Sequence, residues 1–205
     1  MELHKYTSID HALDSLKHGI YAGQIKDFND PYEAEGIVFP EDYRVCCTSS
    51  SNKQMFMWAY YGHHRGCCIQ FHVPDDLENV KKVEYKREYI CHREMDSDEI
   101  YKSLYQKSLE WKHENEIRIV YSKNNADKSL WNCIGENVYF IAKPKSIMLG
   151  LLVDFDDIIV QKLLRDIKTL NDNSEEKIQV KKCMLSSSKY QLITDKQFDY
   201  ERHIV

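Results

Sequence analysis

The spacing of apolar residues along the chain predicts many short strands and a few helices. Residues 3–6 are predicted to form a first strand, in which alternation places His4 and Tyr6 on one face. Residues 9–18 fit a helix with Leu13 and Leu16 on its inner side and Gly19 just past its end. The remaining predicted helices cover residues 52–61, 97–112 and 155–171. The remaining predicted strands cover residues 20–24, 43–48, 67–73, 82–85, 116–121, 138–142, 147–153, 177–185 and 191–194.

The order of these elements indicates an α+β fold. Strands outnumber helices, and long helices do not alternate with the strands as they do in a doubly wound parallel sheet. We therefore expect mixed, mainly antiparallel sheets with flanking helices. The chain has 205 residues with only four prolines and seven glycines, and it shows no internal repeat. A single domain over residues 1–205 is the expectation.

The charge, hydropathy and cysteine content argue against a general nucleic-acid-binding protein, a membrane protein and a structural zinc protein. The formal net charge is −5 and the pI is near 6.0, so no general attraction to nucleic acid is expected. No apolar run approaches the roughly 20 residues that cross a bilayer, and no apolar signal segment follows the N-terminus. We therefore expect a cytoplasmic protein with no membrane partner. The seven cysteines include no Cys-x-x-Cys pair, which favours free thiols over a structural zinc site.

Two carboxylates and a guanidinium follow one another at alternate positions near the predicted strand at 116–121. Glu114, Glu116 and Arg118 share one face if the strand extends back to residue 114. One interpretation is a solvated ladder of ion pairs on an exposed sheet face, worth about 0.2–1 kcal/mol per pair. The other is a site in which a glutamate bonds a sugar hydroxyl or stabilises a cationic transition state.

An aromatic segment ends in two histidines and a glycine. Trp58 has the character of a core residue, whereas Tyr61 and His64 stand at a predicted helix end beside glycines, where a ligand can approach the backbone. Their aromatic faces are candidates for stacking on a base or a nicotinamide ring. His63, His64 and Cys67 are the nearest approach to a metal set, but adjacent histidines rarely converge on one ion, so no metal is expected.

The segment Phe28-Asn29-Asp30-Pro31 is predicted to be a turn. Pro31 disfavours helical geometry at the residue before it, and the side chain of Asn29 or Asp30 can bond the following amides. Two interpretations stay open: a rigid turn that packs Phe28, or a loop that presents polar groups to a ligand.

A modest basic stretch follows in the middle of the chain. It favours a solvated face, with contact to nucleic acid as the alternative. Its cationic residues are Lys81, Lys82, Lys86, Arg87 and Arg93, with Tyr85 and Tyr89 between them.

These motifs together resemble a widespread bacterial family of unknown function. Members of that family carry a Lys-Tyr strand, a Phe-Asn-Asp-Pro-Phe-Glu loop, a Met-Trp-x-x-Tyr segment before His-Lys/Arg-Gly, and a Trp-x-x-Glu-x-Glu-Trp-Arg strand. The chain departs from the pattern at Tyr32 and Ile117, and the resemblance implies no activity. The matching segments are Lys5-Tyr6, Phe28 to Glu33, Met57 to Tyr61, His64-Arg65-Gly66 and Trp111 to Arg118.

The chain is also similar, more loosely, to the ADP-ribosyltransferase superfamily, which includes DNA-modifying toxins. That resemblance implies an ADP-ribosyltransferase-like fold and NAD as substrate. The matching pieces are His4 or Tyr6, Leu16-x-x-Gly19, Tyr60-Tyr61 and Glu114-x-Glu116.

The superfamily resemblance implies roles for several of the candidate site residues. Glu116 would hydrogen-bond the ribose and stabilise an oxocarbenium-like transition state, Glu114 would orient the nucleophile, and Arg118 joins them in the catalytic set. By this resemblance Tyr6, Tyr61 and His64 would hold the dinucleotide. Asn29, Asp30 and Trp58 complete the candidate cofactor-binding residues.

Two functional hypotheses follow from different classes. The first is an NAD-dependent ADP-ribosyltransferase or NAD glycohydrolase that acts as a toxin or phage-defence effector on a protein or nucleic-acid acceptor. The second is a non-catalytic domain that senses a nucleotide or a small polar metabolite.

Overall fold

The computed structural model describes residues 1–34, 40–89, 96–124 and 127–205 and confirms an α+β fold. Cys91 and Arg93 lie outside these described residues. Seven strand pairs of the described ranges are antiparallel, namely β1–β4, β2–β10, β9–β10, β4–β11, β12–β13, β3–β8 and β5–β8, whereas β11 with β12 and β6 with β7 are parallel. The elements are, in chain order, β1 (Glu2–Thr7), α1 (Ile9–His18), β2 (Ile20–Ala22), α2 (Pro31–Ala34), β3 (Tyr43–Ser49), α3 (Met55–Tyr60), β4 (Cys67–His72), β5 (Val80–Lys82), β6 (Glu84–Lys86), α4 (Ser97–Ser103), β7 (Gln106–Ser108), β8 (Glu116–Ser122), β9 (Trp131–Ile134), β10 (Asn137–Phe140), β11 (Pro144–Leu149), α5 (Ile158–Asp172), β12 (Gln179–Leu185) and β13 (Leu192–Thr194).

The chain divides into two compact units whose segments interleave in sequence. Unit 1 comprises Met1–Lys17, Ser51–Val73 and Ala142–Val205, and unit 2 comprises His18–Ser50 and Pro74–Ile141. This division does not test the expectation of a single domain, which remains a prediction.

Unit 1 is built on five neighbouring strands in the order β13-β12-β11-β4-β1. Helix α5 begins where the Asp157 carboxylate accepts a hydrogen bond from the Ile159 amide at 2.7 Å, which satisfies one of the amides that a helix leaves without a partner. Its residues Val160, Leu164 and Ile167 are buried at the three- and four-residue spacing of one helix face.

Unit 2 contains two three-stranded arrangements, β3-β8-β5 and β2-β10-β9, and the parallel pair β6-β7. β8 lies between β3 and β5 and is buried along nearly its whole length. A central strand covered on both faces buries every side chain it carries, including charged ones.

The predicted helix over residues 97–112 is wrong beyond Ser103. The spacing of Ile100, Leu104 and Tyr105 does mark a buried face, since all three lie in one hydrophobic cluster of unit 2. However, the Leu104 carbonyl accepts a hydrogen bond from Arg118 Nη1 at 2.7 Å, and the chain then pairs as β7 with β6. The Leu104 carbonyl thus accepts its hydrogen bond from a residue distant in the chain instead of from the next turn of a helix.

Most other predicted elements are found within a few residues of their expected ends. α1 has the predicted bounds, and β3 and β8 each extend one residue further. The strand predicted at residues 82–85 is two strands, β5 and β6, and β9 was not predicted. No helix within the described ranges is both long enough and apolar enough to cross a membrane.

We expect Gly66→Ala to destabilise unit 1, because the added methyl group would overlap the carbonyl oxygen of Thr7. The free energy of unfolding should fall by about 1–3 kcal/mol, measured by chemical denaturation. Gly23→Ala is the matched control, since the nearest atoms to its methyl group lie at an ordinary 3.9 Å. An equal loss in both variants would contradict the steric explanation.

Candidate functional site

The Asn-Asp-Pro turn is held by the carboxylate of Asp30. Its Oδ1 accepts a hydrogen bond from the Tyr32 amide at 3.0 Å, and its Oδ2 accepts one from the Ser108 amide at 3.4 Å. The Asp30 carbonyl also accepts from the Glu33 amide at 3.1 Å, which starts the single turn of α2. Asp30 is buried and its role is to cap and anchor, whereas the neighbouring Asn29 is exposed. The turn thereby fixes the position of Glu33.

Five charged side chains of unit 2 meet below this turn, and we call them the buried ion cluster. Each member is 9% exposed or less. Three members are carboxylates and two are cations, so the group carries a formal charge of −1 when all are ionised. Its members are Glu33, Lys107, Glu114, Glu116 and Arg118.

Arg118 joins two of the three carboxylates. Its Nε and Nη2 donate to the two carboxylate oxygens of Glu116, each at 3.0 Å, and Nη2 also contacts Glu33. The remaining nitrogen, Nη1, donates to the Leu104 carbonyl. The guanidinium carbon also lies 5.2 Å from the centre of the Phe28 ring, within the range of a cation–π contact.

Lys107 joins all three carboxylates from the other side. Its Nζ lies 2.6 Å from Glu114, 3.5 Å from Glu116 and 3.6 Å from Glu33. Glu114 reaches this position although it precedes β8, because Asn115 adopts a left-handed conformation with a φ of 46° between the two glutamates. Of the three carboxylates, Glu114 therefore lies closest to the Lys107 ammonium and Glu33 lies farthest from it.

The cluster moves the carboxyl pKa values in opposite directions. Burial raises the pKa of Glu33 to about 6, because the opposing attraction of Arg118 and Lys107 does not offset it. Burial also acts to raise the pKa of Glu116, but Arg118 and Lys107 outweigh it and lower that pKa to about 2. For Lys107, burial acts to lower the pKa, and the surrounding carboxylates raise it instead. Of these two carboxyl groups, Glu33 therefore takes up a proton at the higher pH.

The interpretation of Glu114, Glu116 and Arg118 as a solvated ion-pair ladder is wrong. All three are buried, because β8 is a central strand and Glu114, just before it, is paired with Lys107 of β7. Ion pairs in such a setting offset a large desolvation cost instead of adding a little surface stability.

A cavity of about 330 Å³ opens beside the cluster, and we call it the Glu33 cavity. All its lining residues belong to unit 2. Of the ion cluster, Glu33, Lys107 and Arg118 line it. The other lining residues are aromatic (Phe28, Tyr32, Tyr89), charged (Asp30, Lys86, Arg87, Glu88) and small or polar (Ser103, Leu104, Gln106, Ser108).

Two predicted ligand contacts in unit 1 are core residues with satisfied polar atoms. The Tyr6 and Trp58 rings meet edge to face at 5.2 Å inside one hydrophobic cluster. The Tyr6 hydroxyl donates to the Ser51 carbonyl at 2.9 Å, and Trp58 Nε1 donates to the Asn52 carbonyl at 3.0 Å. These contacts fix the loop before α3.

Tyr61 packs at the edge of the same cluster, and His64 lies in a tight turn. His64 has a φ of 59°, its amide donates to the Trp58 carbonyl at 2.9 Å, and its carbonyl accepts from the Leu152 amide at 2.8 Å. Both main-chain groups of His64 are therefore used within unit 1. Tyr6, Trp58, Tyr61 and His64 belong to unit 1, whereas the other predicted site residues belong to unit 2.

The sequence analysis does not include Lys107 or Glu33 among the site residues. Lys107 lies within the helix predicted over residues 97–112. Glu33 lies in the Phe28 to Glu33 motif, and its position three residues after the capping Asp30 is the pattern that could have indicated a role for it. In the part of the chain that the structure describes, no group of three or more His, Cys, Asp or Glu side chains is arranged to hold a metal ion.

Comparisons with protein-family models, curated proteins and solved structures gave no match to this chain. The resemblances to the bacterial family and to the ADP-ribosyltransferases therefore stay predictions.

We expect Glu116→Gln to lower the free energy of unfolding by about 3–5 kcal/mol, because Arg118 would keep its buried charge and lose its main counter-ion. Glu88→Gln, which removes a carboxylate from an exposed position, should change it by about 0.5 kcal/mol or less. Urea denaturation at neutral pH measures both. Similar small effects in the two variants would contradict the cluster's structural role.

We expect Glu33 to make the protein less stable as pH rises. Its folded-state pKa of about 6 lies above the ordinary 4.5, so the folded state binds the proton more tightly and loses that advantage between those two pH values. The cost above pH 6 is about 2 kcal/mol. In Glu33→Gln the free energy of unfolding relative to wild type should therefore increase by about that amount from roughly pH 4 to pH 8. A pH-independent difference would contradict this assignment.

Proposed function

We propose that unit 2 is a recognition domain that binds a small ligand with a planar group, of mononucleotide size or smaller, in the Glu33 cavity. The observation that carries the proposal is one cavity lined by three aromatic rings and by a buried carboxyl whose pKa burial raises to about 6. A concave site with convergent polar groups and a perturbed pKa is the usual mark of a ligand site.

The volume of the cavity favours a small ligand. Ligand pockets usually measure about 300–1,000 Å³, and this one, at about 330 Å³, lies at the lower end. A mononucleotide or a similarly sized metabolite suits that volume better than a dinucleotide such as NAD.

The aromatic residues of the cavity supply surfaces for stacking. The Tyr32 and Tyr89 rings lie 5.2 Å apart and are tilted by 49°, and their side chains are 55% and 44% exposed. Stacking of a base on an aromatic ring contributes about 1–3 kcal/mol. A planar ligand group therefore gives these two exposed rings a favourable contact.

Two cations on the wall suit a phosphate or another anionic group. Lys86 and Arg87 line the cavity, and the Lys86 ammonium lies 3.3 Å from the carboxylate of the well-exposed Glu84. Arg and Lys are the usual partners of phosphate oxygens. These residues belong to the basic stretch noted in the sequence.

The cluster geometry favours binding over glycosyl transfer. Transfer from NAD requires Glu116 to bond a ribose hydroxyl, yet both of its carboxylate oxygens accept hydrogen bonds from Arg118. Neither Glu114 nor Glu116 is among the residues that line the Glu33 cavity. The acidic pair instead serves to hold Lys107 and Arg118 in the wall.

Thermal shift and calorimetry with nucleoside monophosphates, nucleobases and small metabolites test the proposal. A ligand at 100 times its Kd should add about 2.7 kcal/mol to the free energy of unfolding. Tyr89→Ala should weaken binding by about 1–3 kcal/mol through lost stacking. Tyr190→Ala, which removes a fully exposed tyrosine of unit 1, is the matched control. Equal affinities for both variants, or no ligand at all, would contradict the proposal.

A parallel assay with NAD separates binding from turnover. Wild type and Glu116→Gln are incubated with NAD and with candidate protein and nucleic-acid acceptors, and released nicotinamide is measured. We expect no release from either protein. The transferase hypothesis would be favoured instead if wild type releases nicotinamide and Glu116→Gln does not, provided that circular dichroism shows the variant to be folded.

A further inference from the structure

The outer edge of β12, which faces away from β11, carries an interrupted row of main-chain hydrogen bonds. β12 pairs in parallel with β11 through Gln179 to Lys182, whereas it pairs with β13 only from Cys183 onward. In the described part of the chain, no strand therefore pairs with the first half of this edge. The main-chain groups that point outward there need other partners.

The alternation of a β-strand identifies the residues that point their main chain outward. In a strand, the N–H and C=O of one residue point to the same side, and those of the next residue point to the opposite side. The Lys182 carbonyl accepts a hydrogen bond from the Asp195 amide at 2.8 Å, and the Ser186 amide donates to the Gln191 carbonyl at 3.1 Å. The even-numbered residues of this segment thus face outward, and Val180 is one of them.

A side-chain amide takes the place of a strand at the start of this row. Asn171, near the end of α5, accepts the Ile178 amide on Oδ1 at 2.7 Å and donates from Nδ2 to the Ile178 carbonyl at 3.0 Å. One planar carboxamide therefore satisfies both main-chain groups of one residue. In this row Ile178 and Lys182 have partners, and Val180 lies between them.

The main chain of Val180 faces a cavity instead of a partner. Asn171 and Asp195 fill the neighbouring positions, and within the described ranges no hydrogen bond reaches Val180 from the outer side. Val180 is half-buried and lines a cavity of about 560 Å³, a volume that is usual for ligand pockets. Its outward N–H and C=O therefore offer one donor and one acceptor to whatever enters this cavity.

The lining of this cavity favours a neutral ligand with a planar group. Three cations and three carboxylates line it, so that their formal charges balance, and Phe198 and Tyr200 supply aromatic surface. The Tyr200 hydroxyl accepts a hydrogen bond from Asn171 Nδ2 at 3.3 Å, which holds its ring beside the row. All the lining residues belong to unit 1. The charged ones are Asp172, Lys177, Lys181, Asp195, Lys196 and Glu201.

We infer that unit 1 binds a small neutral ligand through a primary carboxamide or a lactam, which pairs with the N–H and C=O of Val180 as Asn171 pairs with Ile178. This inference does not depend on the function proposed for unit 2. The pairing requires a donor and an acceptor on the same side of one C–N bond. Primary carboxamides and lactams meet this requirement, whereas a trans peptide bond does not.

Hydrogen exchange of the full chain, resolved by residue with NMR, tests the unpaired main chain without any ligand. The Lys181 amide faces β11 within the ladder and should exchange slowly. The Val180 amide should exchange at least about 10-fold faster, because no main-chain partner protects it. Equal protection of these two neighbouring amides would overturn the inference.

An NMR titration with benzamide tests the ligand chemistry, and N,N-dimethylbenzamide is the matched compound that lacks an N–H donor. Loss of the paired contact should weaken binding roughly 5- to 30-fold. 2-Pyridone, which is a lactam, should bind as benzamide does, and both compounds should slow exchange of the Val180 amide. Equal binding of the two benzamides, or no effect of benzamide and 2-pyridone on Val180, would overturn the inference.

Val180→Pro removes the donor and leaves the ladder with β11 in place, because the lost N–H points outward and proline is tolerated at such an edge position. Benzamide should bind this variant about 5-fold or more weakly. Tyr190→Ala, which changes an exposed residue outside the cavity, should bind benzamide as wild type does. Wild-type affinity in a Val180→Pro variant that circular dichroism shows to be folded would overturn the inference. If this variant does not fold, the exchange and titration of wild type decide the question.

Discussion

Burial of three carboxylates against two cations is the constraint on which the rest of unit 2 depends. Each charge would be prohibitively costly inside the protein without a partner, so the segments that carry them must converge. α2 supplies Glu33, β7 supplies Lys107, and β8 supplies Glu116 and Arg118. The cavity lies beside this convergence, and three of the five cluster members, Glu33, Lys107 and Arg118, form part of its wall.

The fold class was readable from the sequence, and so were most elements, because periodic apolar residues report directly on local structure. The failure between residues 104 and 112 has a specific cause. Leu104 and Tyr105 continue a helical pattern, but the Leu104 carbonyl is bonded by Arg118, which lies 14 residues further along the chain. No local pattern contains information about that partner. The strand β9, over Trp131–Ile134, was not predicted at all.

The site was only partly readable from the sequence. The turn motif and the Glu-x-Glu-x-Arg motif, which the sequence analysis describes separately, meet in space where Glu33 contacts Arg118. Their exposure was not predictable, because a charged residue on a strand is solvated or buried according to what the neighbouring strands carry. Lys107 illustrates the limit, because a single lysine within a predicted helix gives no sign that it pairs with Glu33 far upstream and with two glutamates beyond the predicted helix.

The capping role of Asp30 has a consequence for the alignment of the short parallel strands. Its carboxylate accepts the Ser108 amide, while β7 pairs with β6 over only three residues, with Lys107 opposite Tyr85. Three residues of ladder hold a strand weakly against sliding. A slip of one residue would turn Lys107 toward the opposite face and leave its glutamates without an ammonium group. Asp30, which lies far from β7 in the chain, thus fixes the register of β7 against β6.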